Sequence, residues 1–177
     1  LRRVERLLAD LAGEGVQGPL RTVAELVSAR MLAGGTVALS GIGHLFPDEM
    51  RNEMKSPFKA FLARGASYAE YLKPGDLLVW LAYAGMNSAY TDYAKRIAET
   101  GAELITSYAP PLDPATPAPK TLAHIEQPWR LPDAEVPIPV FPGAMGPVSG
   151  ITSALLLRML DDEVAARLAA ARAAAPR

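Results

Sequence analysis

The chain is 177 residues long and half hydrophobic, the size of one domain whose core needs no disulfide or metal staple. Its 18 basic and 19 acidic residues balance to a net charge of −1 with no Lys/Arg block, so no electrostatic footprint for nucleic acid is expected. Cysteine is absent, which excludes disulfides, cysteine–metal centres and thiol catalysis, and suits a reducing cytoplasm.

Leu1, Val4, Leu7, Leu8 and Leu11 repeat at helical spacing, ahead of an interruption at Gly13 and Gly15. Leu1-Arg2-Arg3-Val4 is unlike a signal-peptide core. No apolar run reaches the ~18 residues of a membrane-spanning helix, so no membrane partner is expected. Thr22 and Glu25 fit a capping box for a second helix carrying Val23, Leu26, Val27 and Met31, and Gly34-Gly35 closes it. Residues 1–33 are therefore expected to be helices preceding a sheet.

Thr36 to Leu39 predict a first buried strand that opens into Ser40-Gly41-Ile42-Gly43-His44. Pro47-Asp48-Glu49 suits a helix start. Residues 56–71 are ambiguous, with Pro57 to Leu62 readable as a strand or a short helix. Lys73-Pro74-Gly75-Asp76 is a turn signal before a second strand, Leu77 to Ala82. A loop from Tyr83 follows, then a helix capped by Asn87 or Ser88 and stopped by Gly101. Ala102 to Ser107 predict a third strand.

Eleven of the 16 prolines fall between Pro110 and Pro147, which bars a regular helix or a central strand there. Residues 109–134 read as an ordered arm stiffened by proline. Glu135 to Val140 read as an edge strand or extended tail, and Gly143 to Pro147 as a loop. Ser149 is placed to cap a last helix with Ile151, Leu155, Leu156, Met159 and Leu160 on one face. Residues 149–175 are expected to be helical throughout.

Strands alternating with helices imply a parallel sheet covered on both faces, with ligands at the strands' carboxyl ends. Those ends are Ser40–His44, Tyr83–Ser88, Thr106–Tyr108 and the loop Gly143–Thr152, all rich in Gly, Ser, Thr or Asn.

The glycine loop lets backbone amides approach an anion. It is not a dinucleotide fingerprint, because Phe46 stands where the last glycine belongs, and no Lys-Ser/Thr of a nucleotide loop follows. The chain has two histidines, His44 and His124. An imidazole suits proton transfer near neutral pH; the plain alternative for His44 is a capping or solvent-facing residue. In an extended segment His124 and Glu126 point to one side, as a surface salt pair also would. Histidines at metal-binding helical spacing are absent and no metal is expected. Asp48, Glu49 and Glu53 are by default solvated partners of a helix dipole, with one of Glu49 and Glu53, a turn apart, a candidate general base. Ser149, Thr152 and Ser153 bring hydroxyls to a helix start, where simple capping explains one or two of them. No Gly-x-Ser-x-Gly elbow is present.

These segments together resemble the sugar isomerase (SIS) domain family, and most of all its small stand-alone members similar to phosphoheptose isomerase. Gly35 to His44 resembles the family's first strand and ligand loop. Lys73 to Trp80 resembles its second-strand approach, and Tyr83 to Ser88 stands at its serine-rich loop. Ala98 to Ser107 resembles its third strand, and Gly146 to Ala154 the helix start after its last strand. The resemblance implies one domain over 1–177, a three-layer α/β/α sandwich on a mainly parallel five-stranded sheet, as a homodimer or homotetramer. It implies a sugar-phosphate ligand at the strand carboxyl ends, no cofactor, and aldose–ketose isomerisation by proton transfer through an enediolate. The positions matching such a site are Ser40, Gly41, Gly43, Asn87, Ser88, Thr106, Ser107, Ser149 and Thr152 for binding. Glu49 or Glu126 would serve as base and His44 or His124 as acid. The chain departs from the pattern at Ala82 and Ala84, where the family has serines, and at His44-Leu45, where a hydroxyl is common. The stretch from Met54 to Lys73 is also short. These departures favour the alternative, a non-catalytic phosphosugar-binding or regulatory module. A third reading uses the fold only to dimerise, through the apolar seam of the first helix.

Overall fold

A computed structural model describes residues 2–41, 59–60, 71–84, 87–110, 120–129, 134–137 and 144–175. Two helices come first, α1 (Arg2–Ala12) and α2 (Glu14–Leu32). They are followed by β1 (Val37–Gly41), β2 (Lys59–Ala60), β3 (Leu77–Ala84), α3 (Asn87–Glu99) and β4 (Glu103–Ala109). The chain continues through β5 (Ala123–Glu126), β6 (Ala134–Pro137), β7 (Ala144–Pro147) and α4 (Val148–Ala174).

The main sheet has the order β2-β1-β3-β4-β5, and every pairing in it is parallel. Alternation of side chains sorts the core into two layers. Val37, Leu39, Leu77, Val79, Leu81, Ile105 and Ile125 pack against residues of α1, α2 and α4. Ala38, Leu78, Trp80, Leu104 and Tyr108 face the other way, toward Ile97 and Ala94 of α3. Helices thus cover both faces, as continuous apolar strands require. The α/β architecture on a parallel sheet is the one expected.

Lys73-Pro74-Gly75-Asp76 forms the expected turn ahead of β3. The Asp76 amide donates to the Lys73 carbonyl at 3.0 Å, and the Asp76 carboxylate accepts the Lys73 amide at 3.1 Å. Gly75 has φ +89°, a value that glycine adopts without strain. Arg30, near the end of α2, donates to the Gly75 carbonyl and pairs with Glu103 at the start of β4. This clamp closes the amino edge of the sheet, opposite the candidate site.

Four expectations need correction. The break between the first helices lies at Gly13 alone, and α2 runs on through Gly15, Gly18 and Pro19. Thr22 is therefore no cap; it lies mid-helix, and its hydroxyl donates to the Gly18 carbonyl at 3.3 Å. Packing of Val16, Leu20, Val23 and Val27 in the core outweighs the weak helix propensities of Gly and Pro. Second, the strand that follows β4 in the sheet is β5, inside the segment expected to be an arm. Thr121 to Gln127 is free of proline, so its amides can join a ladder. Hydrogen bonds from Leu122 N–H to the Leu104 carbonyl and from Gln127 N–H to the Tyr108 carbonyl pin it at both ends. Third, β6 does not join the sheet but pairs antiparallel with β7, and Ala144 to Pro147 is strand rather than loop. The proline-rich sequence suits such a two-stranded ribbon, whose outer amides need no partner strand. Fourth, α4 is one continuous helix of 27 residues that begins at Val148, so Ser149 lies inside its first turn.

Candidate functional site

The carboxyl ends of β1, β3, β4 and β5 and the amino end of α4 gather at one edge of the sheet. Four hydrogen-bond contacts tie this edge together, and all begin at Gln127, just past β5. Its Nε2 donates toward the Ala82 carbonyl at 3.3 Å, the Ser107 carbonyl at 3.2 Å and the Ser107 hydroxyl at 3.3 Å. The Ser153 hydroxyl of α4 lies at 3.5 Å from the same nitrogen. The indole N–H of Trp129 donates to Gln127 Oε1 at 2.6 Å. An indole nitrogen only donates, so this contact fixes which end of the carboxamide is oxygen.

The need for such a donor is local. The β3–β4 register shifts between Leu81 and Ala84, with one extra residue on β3. A bulge interrupts the ladder and leaves backbone groups to be satisfied by side chains. Ala82 lies in that interruption. The fully buried Gln127 supplies the donor that a neighbouring strand would otherwise supply.

Register carries a second constellation on the α3 face. Ser40, Trp80, Thr106 and His124 lie side by side across β1, β3, β4 and β5. Thr106 Oγ1 and His124 Nδ1 are 2.9 Å apart. The imidazole also lies against the Tyr108 ring, with centroids 4.3 Å apart. Burial pushes the His124 pKa below its usual value; the Glu126 carboxylate and a hydrogen bond to the Thr106 backbone oppose that shift. Burial thus favours the neutral ring over the charged one.

The candidate residues therefore divide. His124 and Glu126 share one face of β5, as their spacing predicts, with His124 half-buried and Glu126 exposed. Thr106 and Ser107 are consecutive in β4 and point to opposite faces: Thr106 joins His124, whereas Ser107 joins Gln127 and Ser153. Ser40 is buried near the end of β1, and Gly41 is the last residue of that strand. Asn87 and Ser88 open α3 directly beyond the β3 edge. Ser149 and Thr152 are buried in the first two turns of α4. Gly43, His44 and Glu49 lie outside the described residues. Among the described residues no group of three or more His, Asp or Glu is placed to hold a metal ion. No described helix is long and apolar enough to cross a membrane.

Gln127 and Trp129 are missing from the sequence-derived set. A lone glutamine beside a proline has no periodic signature; its value lies in burial, which only the fold reveals.

No family model and no curated protein matches the sequence. The fold does match solved structures. One is a proposed phosphosugar isomerase involved in capsule formation from Bacteroides fragilis, 16% identical, with a TM-score of 0.64 over 94% of this chain and 90% of that one. Another is the sugar isomerase domain of the RpiR transcription factor from Sphaerobacter thermophilus, 14% identical, TM-score 0.51, over 96% of both chains. A phosphoheptose isomerase from Francisella tularensis is 11% identical, with a TM-score of 0.54 over 91% of this chain and 94% of that one. The chain has the SIS-like fold.

Proposed function

We propose that the chain binds a sugar phosphate at the carboxyl edge of its sheet. The observation that carries this reading is the amino end of α4. Ser149, Thr152 and Ser153 are buried in its first two turns, beside the ends of β3 and β4. A helix amino end offers unpaired N–H groups and positive partial charge to an anion. The same edge carries the carboxyl ends of β1 and β3, where the fold's phosphosugar proteins suggest the ligand. The complete fold would be a three-layer α/β/α domain on a five-stranded sheet, in a cytoplasmic homodimer or homotetramer.

In the catalytic form of the proposal, His124 with Glu126, or His44 with Glu49, shuttles a proton between neighbouring carbons through an enediolate. Each such residue contributes about 10²–10⁴-fold to rate. The second form is a binding or regulatory module without turnover. Ala82 favours it: this residue is buried where the resembled family carries a serine, and it offers no hydroxyl.

The test is thermal unfolding with a panel of aldose and ketose phosphates, followed by proton NMR of each mixture for interconversion. A ligand at 100 times its Kd adds about 2.7 kcal/mol, or about 5–11 °C for a domain this size. No shift with any sugar phosphate refutes both forms, and a shift without interconversion selects the second.

A further inference from the structure

We propose that Gln127 is the positioning residue of this edge: its carboxamide sets the height of the α4 amino end over β3 and β4. The proposal rests on the phosphosugar reading above and deepens it.

One planar group here touches four parts of the fold. Its oxygen is committed to Trp129, which packs in the core shared by α1, α2 and α4. Its nitrogen faces β3 through the Ala82 carbonyl, β4 through Ser107, and α4 through Ser153. Two N–H protons thus serve four acceptors at 3.2–3.5 Å. The set is oversubscribed and its bonds are long, so a small displacement of α4 redistributes the protons rather than breaking the network. The backbone carbonyl at the bulge and the two seryl hydroxyls compete for the same donors. Ser107 and Ser153 are 1% and 6% exposed and Gln127 0%. The network therefore lies beneath the first two turns of α4 and acts through them, not by touching a ligand.

An anion drawn to the α4 amino end pulls on those turns. The shift passes through Ser153 to the Gln127 nitrogen, and through the rigid amide plane to the indole N–H of Trp129. Trp129 is then a reporter of occupancy at a site it does not touch.

The probe is whichever of fructose 6-phosphate, ribose 5-phosphate and sedoheptulose 7-phosphate binds the native chain best, measured by calorimetry. Gln127→Met keeps the volume and removes both donors; Gln127→Glu keeps the shape and turns the donor end into a carboxylate. Each is expected to weaken binding about tenfold or more. Val27→Ala, a core deletion in α2, lowers stability and leaves the Kd within about twofold. In the native chain, saturation with the probe moves the Trp129 indole N–H resonance. Binding by Gln127→Met within twofold of native, or an unmoved Trp129 resonance, overturns the proposal while the phosphosugar reading stands. No binding of any of the three probes by the native chain overturns the reading, and the proposal falls with it. If Gln127→Met fails to fold, the Trp129 resonance decides.

Discussion

Thr106→Val tests the row of residues on the α3 face. Thr106 is fully buried in β4, and valine has nearly its shape and suits a strand. No cavity opens, so the cost comes from polarity alone. The hydrogen bond between Thr106 Oγ1 and His124 Nδ1 is lost. That bond is worth about 1 kcal/mol net, and a half-buried ring nitrogen left without a partner adds about another 1 kcal/mol. The expected loss is about 2 kcal/mol, or about 4–8 °C in Tm for a domain this size. Urea unfolding near pH 8, where the imidazole is neutral, measures it directly. The decisive arm is a double-mutant cycle with His124→Phe, which keeps a ring against Tyr108 and removes the nitrogens. In that background Thr106→Val should cost less than about 0.5 kcal/mol. A cost that is the same with and without His124 refutes the coupling. So does a cost near zero in the native background.

Four further outcomes are expected. His124 titrates below its unfolded value, so the unfolded chain binds the extra proton first and stability falls as pH drops below the ordinary imidazole range, about 6.5. Unfolding measured from about pH 8 to pH 5 should show this slope, and His124→Phe should remove its share. Glu126→Gln removes a carboxylate that favours the charged ring, so the His124 titration followed by NMR should move to still lower pH. Gly101→Ala places a Cβ 2.9 Å from Pro74 at a residue with φ +75°, and should cost about 1–2 kcal/mol from the backbone alone in a chemical denaturation curve. Gly35→Ala brings a Cβ 2.5 Å from the Arg30 side chain that clamps Gly75 and Glu103, and its destabilisation in the same assay should largely vanish when Arg30 is already alanine.

The strands β1, β3 and β4 were legible because each is a short apolar run bounded by turn residues, the signature of a strand buried on both faces. The turn Lys73 to Asp76 and the stop at Gly101 were legible for the same reason: φ values of +89° and +75° demand the residue found there. What misled was the reading of proline and glycine as punctuation without regard to packing. Gly13 and Gly15 looked like one break, yet the valines and leucines of α2 bury well enough to carry the helix from Glu14 on through Gly15, Gly18 and Pro19. The eleven prolines from Pro110 to Pro147 hid β5, although a proline-free run sufficient for a short strand lay among them. The spacing of His124 and Glu126 was informative even so, because the alternation of an extended chain holds whether or not the strand is recognised.

The same alternation decides what the sequence grouped wrongly. Thr106 and Ser107 look like one pair of hydroxyls, but neighbours in a strand cannot serve one wall. Thr106 orients an imidazole on the α3 side, while Ser107 lies in the Gln127 network under α4. Two polar assemblies therefore flank the sheet rather than forming a single site within it. They draw near one another only where the strands end and their two faces cease to be separated. A ligand spanning both must lie across the carboxyl edge, its anionic group toward α4 and its uncharged carbons toward β5. A sugar phosphate has this division of charge, and inorganic phosphate has only the first half. If both assemblies serve one ligand, Thr106→Val should weaken a sugar phosphate and leave inorganic phosphate unchanged, whereas Gln127→Met should weaken both. Equal loss of the two anions in Thr106→Val, measured by competition calorimetry, would confine the ligand to the α4 side and leave His124 with a purely structural role.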